Sequence, residues 1–335
     1  MVSQGGAAPE LTAAGRTAYP RIVVLCGETD RPPGLEQLSP HAGLRYASTT
    51  EALGEVLPGA DVLFIWDFRS TKLQAVWARA NQLRWVHIAS AGIDPLLFPG
   101  FVSSDVVLTN SRHVFDEAIA EYVLGLLLAF AKDLPCTLDL QRRRTWRHRV
   151  TERLAGRSVL VVGAGPIGRA IARLVSAVGC QVTGVARNPR SDDPDFGTVH
   201  PAAALLDALA GADFVVIAAP LTDDTRGMFG AAAFQRMKPS ARLINVGRGP
   251  IIDQQALVAA LRGGQLAGAA LDVFADEPLP PDSPLWGMGN VIVSPHMSGD
   301  VAGFEDELAA LFLDNLARYR RGEPLRNVVD KRRGY

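Results

Sequence analysis

A chain of 335 residues with 48% apolar side chains has room for two domains with full hydrophobic cores. Its formal net charge of -1 gives no basis for a nucleic-acid partner or an anionic membrane surface. The three cysteines, Cys26, Cys136 and Cys180, are odd in number and widely spaced, which excludes a disulfide framework and a metal-ligand cluster and suits a reducing cytoplasm.

The first twenty residues are rich in Ala and Gly without the basic start and apolar run of a signal peptide, so residues 1–19 are expected to form a flexible tail. Arg21 to Cys26, Leu44 to Ala47, Asp61 to Trp66, Trp85 to Ile88 and Val106 to Leu108 are short apolar runs, most of them separated by a segment that could hold a helix. That alternation predicts a parallel sheet covered on both faces. Trp66, Phe68 and Arg69 follow the third run and could either face a ligand cleft or serve packing. Phe115 to Lys132 has no Pro and predicts one long helix bridging two domains. Its apolar part, Tyr122 to Ala131, is far shorter than the ~20 residues of a membrane span and is expected in a core or a subunit interface. The basic run from Arg142 to Arg149 reads as a solvated helix end and loop, or as part of an anionic pocket or subunit contact.

A second strand series follows at Val159, Gln181 to Val185, Phe214 to Ala218, Leu243 to Val246, Ala269 to Val273 and Val291 to Val293. The final helix, Phe304 to Arg321, is placed to cross back to the first domain. The expected division is therefore 20–112 with 299–335 as a substrate domain, and 113–298 as a dinucleotide-binding domain.

Between the strand at Val159 and the helix after it lies Gly163-Ala-Gly165-Pro166-Ile167-Gly168. In such a turn the first glycine reverses the chain, the second admits a pyrophosphate, and the third lets helix and strand approach. Free N–H groups then begin the helix and face the phosphates. The same turn could be purely structural, but the flanking strand, helix and second strand favour a nucleotide site. At the end of the second strand, where a site for NAD places an Asp or Glu, the chain has Ala186-Arg187-Asn188-Pro189-Arg190. Two guanidiniums and no carboxylate favour a 2′-phosphate, hence NADP with NAD possible; the alternative is a solvated basic loop.

Arg248, Glu277 and His296 each follow a strand of the second series. Singly, each could be a surface turn residue. Together they suit hydride transfer to a 2-keto acid. Arg248 would hold the carboxylate and polarise the carbonyl, His296 would exchange the proton, and Glu277 would fix the imidazole tautomer.

These motifs, with His87-Ile-Ala-Ser-Ala-Gly-Ile-Asp94, Ala120-Glu-Tyr122, Pro220-Leu-Thr222, Asn245-Val-Gly-Arg-Gly249, Asp272-Val-Phe-Ala-Asp-Glu-Pro278 and Pro295-His-Met-Ser-Gly299, resemble the D-isomer-specific 2-hydroxyacid dehydrogenases, glyoxylate/hydroxypyruvate reductases in particular. The resemblance spans Arg21 to Arg326. It implies an α/β fold of two Rossmann-like/flavodoxin-like parallel-sheet domains separated by an active-site cleft, and a cytoplasmic homodimer built on the long helix. It also implies that Ala91 and Gly92 offer N–H groups to the substrate carboxylate. Pro220 and Thr222 would line the cofactor, with Val246, Gly247 and Asp272 near the nicotinamide and its ribose. Met297, beside His296, departs from the small or β-branched residue expected there. Alternative expectations are a dehydrogenase of another small anion such as formate or phosphite, or a dinucleotide-sensing regulator similar to the corepressors of this fold.

Overall fold

The computed structural model describes residues 19–38 and 43–334. The expected tail, residues 1–19, lies outside the described residues apart from Tyr19. Two compact units result: one ends at Val114 and resumes at Ala302, and the other is Phe115–Val301.

In the first unit, β1 (Arg21–Leu25), β2 (Gly43–Ala47), β3 (Val62–Ile65), β4 (Trp85–Ile88) and β5 (Val107–Asn110) form a parallel sheet in the order β2-β1-β3-β4-β5. This is the flavodoxin-like order. Every residue of β3, β4 and β5 is buried, as strands between two helical layers must be, including the polar His87, Thr109 and Asn110. One face carries Val23, Leu25, Leu63, Ile65, Val86 and Ile88. Against it pack Leu53 of α1 (Thr50–Val56), Leu73 and Val76 of α2 (Lys72–Val76), and Phe101 of α3 (Pro99–Val102).

The second unit contains α4 (Asp116–Ala131), α5 (Leu134–Arg142), β6 (Ser158–Val162), α6 (Pro166–Ala177), β7 (Gln181–Ala186), β8 (Arg190–Asp193), β9 (Gly197–Pro201), α7 (Leu205–Leu209), β10 (Phe214–Ile217), α8 (Ala231–Arg236), β11 (Arg242–Asn245), α9 (Gln254–Arg262), β12 (Gly268–Leu271) and β13 (Val291–Val293). The sheet order is β13-β12-β11-β10-β6-β7-β9-β8, parallel except for the antiparallel pair β8 and β9. Alternate residues serve opposite faces. Leu160, Val162, Val215 and Ile217 meet Leu209, Phe234, Leu257 and Ala260 from the helices α7, α8 and α9. Val159, Val161, Phe214 and Val216 meet Ile119, Val123, Leu127, Ile171 and Val175 of α4 and α6.

The hairpin β8–β9 was not expected from the sequence. The hairpin segment is polar and carries no alternation, and what holds it is a cluster of ion pairs described below. Arg142 ends α5, and Arg143, Arg144 and Arg147 after it are exposed. Arg149 folds back to Asp133, Nε to Oδ2 at 2.8 Å.

The chain returns to the first unit through α10 (Phe304–Arg321). Glu305, Asp306 and Glu307 lie in its first turn and Arg318, Arg320 and Arg321 in its last, the arrangement a helix dipole favours. The helix covers the other face of the first sheet: Phe312 stacks on Phe64 with ring centroids 4.1 Å apart, and Tyr319 stacks on Trp85 at 5.5 Å. Beyond it, Lys331 Nζ donates to the carbonyls of Phe101, Ser104 and Val106 at 3.0, 2.6 and 2.8 Å. Among the described residues no helix is long and apolar enough to cross a membrane.

His87 lies under α10 with no exposed surface. Its Nδ1 is 2.7 Å from Thr109 Oγ1, which also accepts Trp85 Nε1–H at 2.8 Å, and Ser111 Oγ is 3.4 Å from Nε2 while donating to the Ile88 carbonyl. A neutral imidazole with its hydrogen on Nε2 satisfies this network. Burial lowers the His87 pKa from 6.5 to about 3. Between those values the unfolded chain binds a proton that the folded chain does not, so this residue contributes stability that is complete above pH 6.5 and is lost as pH falls toward 3. The slope is about 1.4 kcal/mol per pH unit. In urea titrations at pH 7 and pH 5, the stability difference between wild type and H87Q is expected to shrink at the lower pH; an equal difference at both would contradict a neutral buried His87.

Candidate active site

The glycine turn joins β6 to α6 where the sheet order changes direction, with β7 on one side of β6 and β10 on the other. Open α/β sheets bind ligands outside the carboxyl ends of strands at such a point. Gly163 has φ +110, and a Cβ there would lie 2.6 Å from the backbone nitrogen of Ala219, just beyond β10. A Cβ at Gly168 would lie 1.9 Å from the Gly163 carbonyl oxygen, so helix and turn are in backbone contact. A Cβ at Gly165 would meet nothing within 4 Å, which leaves the space beside the turn open. The helical ladder starts with Arg169 N–H on the Gly165 carbonyl at 2.9 Å. Pro166 has no N–H, so Ile167 and Gly168 supply the first-turn donors that no carbonyl of the helix accepts. This arrangement fits a pyrophosphate.

Next along the same edge, Pro220-Leu-Thr222 leaves β10. Thr225 pins it, accepting Thr222 N–H at 2.8 Å and donating to the Pro220 carbonyl at 2.8 Å. Val246, Gly247 and Arg248 leave β11. Buried Asn245 clasps that turn, its Oδ1 accepting Gly247 N–H at 3.0 Å and its Nδ2 donating to the Arg248 carbonyl at 3.0 Å. Arg248 is half-buried, and its Nη1 donates to the Gly247 carbonyl at 2.8 Å. A Cβ on Gly249 would lie 1.8 Å from the Phe274 carbonyl carbon, so only glycine lets the Arg248 turn press against the segment that leads to Glu277. Neither Thr225 nor Asn245 was singled out from the sequence, although Asn245 stands in a quoted motif.

Glu277 and His296 stand beyond the adjacent strands β12 and β13. Glu277 Oε1 accepts Phe274 N–H at 3.0 Å, and Oε2 is 2.7 Å from His296 Nδ1. With Nδ1 on the carboxylate, Nε2 is the opposite edge of the ring. The side chains are 22% and 25% exposed, which allows proton exchange at a sheltered position. His296 has φ +56, a left-handed conformation that costs a non-glycine residue about 1–3 kcal/mol. Asp272 sustains it from below. Its carboxylate accepts Ser294 Oγ–H at 2.7 Å, Met297 N–H at 3.0 Å and Ser298 N–H at 2.9 Å. Asp272, expected beside the nicotinamide ribose, is 1% exposed and gives its carboxylate to the loop that carries His296. Because Met297 joins this clamp through its backbone, the unusual side chain leaves the clamp intact.

Of the two arginines after β7, Arg187 is exposed. Arg190 lies on β8, its Nε donates to Asp193, and its Nη1 donates to the Asn188 carbonyl at 3.2 Å. Asp193 also receives Arg169 Nη1 and Nη2 at 3.1 and 2.9 Å. Burial by itself would raise the Asp193 pKa, but Arg169, Arg190 and the Asp195 N–H outweigh it and hold the carboxyl well below the usual range.

In the first unit, Ala91 and Gly92 follow β4. Asn110 Nδ2 donates to the Ala91 carbonyl at 2.7 Å and Ser90 Oγ to the Gly92 carbonyl at 2.5 Å. Trp66 is a packing residue, 6% exposed, edge-on to Phe64 and donating Nε1–H to Asp30 at 3.1 Å. The Arg69 guanidinium lies 5.4 Å from the Phe68 ring centroid.

Residues 124–298 match the family described as D-isomer specific 2-hydroxyacid dehydrogenase, NAD binding domain. Glyoxylate/hydroxypyruvate reductase B of Salmonella schwarzengrund is 33% identical over 264 residues, which cover 77% of this chain and 81% of that protein. An NADPH-dependent glyoxylate/hydroxypyruvate reductase from Sinorhizobium meliloti, solved with NADP and sulfate, matches with a TM-score of 0.80 at 30% identity over 94% of this chain and 100% of that one. A D-isomer specific 2-hydroxyacid dehydrogenase from Xanthobacter autotrophicus Py2, solved with NADPH and MES, matches with a TM-score of 0.78 at 32% identity over 95% of this chain and 100% of that one. With a glycine turn at the switch point and the Arg, Glu and His motifs on successive strand ends, the chain belongs to the D-isomer specific 2-hydroxyacid dehydrogenases, a family of NAD(P)-dependent oxidoreductases.

Proposed function

We propose that this enzyme reduces a small 2-keto acid of the glyoxylate or hydroxypyruvate kind to the D-2-hydroxy acid, with NADPH as the preferred reductant. The observation that carries the reading is the 2.7 Å contact of His296 Nδ1 with Glu277 Oε2 on adjacent strand ends. A dinucleotide bound at the Gly163–Gly168 turn supplies the hydride. Arg248 pairs its fork with the substrate carboxylate and polarises the neighbouring carbonyl. His296 gives the proton on Nε2 to the carbonyl oxygen as negative charge develops there. Glu277 holds Nδ1–H, fixes the tautomer and stabilises the imidazolium form. Pro220, Thr222, Val246 and Gly247, on the strand ends beside that turn, would border the nicotinamide half of the cofactor. Oxidation of formate to carbon dioxide transfers a hydride with no proton gained or lost at oxygen, which gives the Glu277–His296 pair no such task and favours the keto acid.

Preference for NADPH rests on Arg187 and Arg190 and on the missing carboxylate at Ala186. It is supported by the NADPH and NADP bound to the two structural relatives. Assay of a 2-keto acid panel with NADPH and NADH separately is expected to show turnover of the two-carbon and three-carbon acids and a lower KM for NADPH; a clear advantage for NADH would defeat the arginine argument. H296A should lose about 10²–10⁴-fold in turnover while cofactor affinity stays within a few-fold, and E277Q should follow it in direction. Unchanged turnover in H296A would remove the imidazole from the mechanism.

We further propose a cytoplasmic homodimer. Leu134 and Leu138 of α5 and the following Trp146 and Val150 are 44%, 51%, 101% and 92% exposed, an apolar surface that a second copy would cover. Sedimentation should find wild type dimeric and an L138E/W146E variant monomeric with its cofactor affinity retained. A monomeric wild type would refute the assignment.

A further inference from the structure

The hairpin β8–β9 is attached to the nucleotide helix by a buried carboxylate. Asp193, its side chain 1% exposed, takes both Nη groups of Arg169, the residue after Gly168, together with Nε of Arg190 and the N–H groups of Asp195 and Phe196 at 3.0 and 3.3 Å. Arg169 Nη1 also reaches Asp195 Oδ2 at 2.5 Å. Phe196 packs on β7, where a Cβ on Gly184 would come within 3.1 Å of its ring. A buried carboxylate persists only when its oxygens are filled, and here the filling donors come from the phosphate helix and from the arginine that follows β7.

The consequence for Arg190 is geometric. Asp193 grips one edge of its guanidinium through Nε, and the Asn188 carbonyl takes Nη1. Among the described residues, no hydrogen bond of the protein engages Nη2, and the side chain is 34% exposed. An arginine held this way has already lost its rotamer freedom, so binding an anion with the remaining donors costs less.

We propose that Asp193 is a positioning residue for cofactor selection: it orients the Arg190 fork toward the 2′-phosphate of NADP, while Arg169 ties that orientation to the pyrophosphate turn. The inference rests on the NADPH preference argued above. Asp193 touches no ligand and acts through Arg190.

D193N preserves the size of the side chain and replaces one acceptor oxygen by a donor. It is expected to raise KM for NADPH about tenfold, the worth of one charge-assisted hydrogen bond, while KM for NADH and kcat with either cofactor stay within about twofold. In an R190A background, D193N should change the NADPH-to-NADH ratio no further. R190K keeps the charge but has no fork to orient, and should lose the preference as fully as R190A. That variant also tests the idea if D193N fails to fold. An equal rise in both KM values in D193N, an unchanged ratio, a further change of ratio in the R190A background, or a preference retained in R190K would each overturn the proposal. The wild-type ratio, measured first, tests the NADPH reading by itself; an NADH-preferring wild type would remove that reading and this inference together, whereas an NADPH-preferring wild type with an unaffected D193N removes the inference alone.

Discussion

The arrangement of this site depends on one grip between neighbouring strand ends. The segment leaving β12 holds the loop leaving β13 twice: beneath, where the Asp272 carboxylate gathers Ser294, Met297 and Ser298, and at the surface, where Glu277 meets His296. Between these two holds, His296 keeps a backbone conformation that an unconstrained residue would leave. The parallel register that sets Ala269 opposite Val291 and Leu271 opposite Val293 brings the two segments within reach. A buried carboxylate with three donors is costly to disturb, so the imidazole inherits its rigidity.

The remaining strand ends divide the work by position. The glycine turn occupies the point where β6 separates β7 from β10, and Arg248, Glu277 and His296 follow on β11, β12 and β13 in spatial order. Chain order and sheet order coincide from β10 to β13, so residues separated by dozens of positions lie on successive strand ends. Each motif is then steadied by a polar side chain at its base: Thr225 under Pro220, Asn245 under Gly247, and Asp272 under Met297.

Much of this could be read from the chain alone, for a physical reason. Parallel strands buried on both faces are unbroken apolar runs such as Phe214 to Ile217, and the residues that leave them toward a ligand are polar, glycine or proline, so the boundary between fold and site is visible as a change of composition. The supporting acceptors were harder to see. Asp272 sits in a conspicuous motif, yet nothing in its neighbours says that its oxygens are filled from residues more than twenty positions away. The hairpin from Arg190 to Pro201 was missed because charge holds it in place, and charge has no period. The polar segment between Pro189 and Pro194 resembles a solvated loop until Asp193 is found buried.

The first unit is assembled from two stretches of chain, one ending at Val114 and one resuming at Ala302, and this has a consequence for biosynthesis. Strands β1 to β5 emerge early, but among the described residues the aromatic surface of Phe64 and Trp85 is roofed by Phe312 and Tyr319 of the later α10. Everything that builds the second unit is translated before that roof exists. The nascent sheet must therefore wait with one greasy side uncovered, a state vulnerable to aggregation, until α10 has left the ribosome.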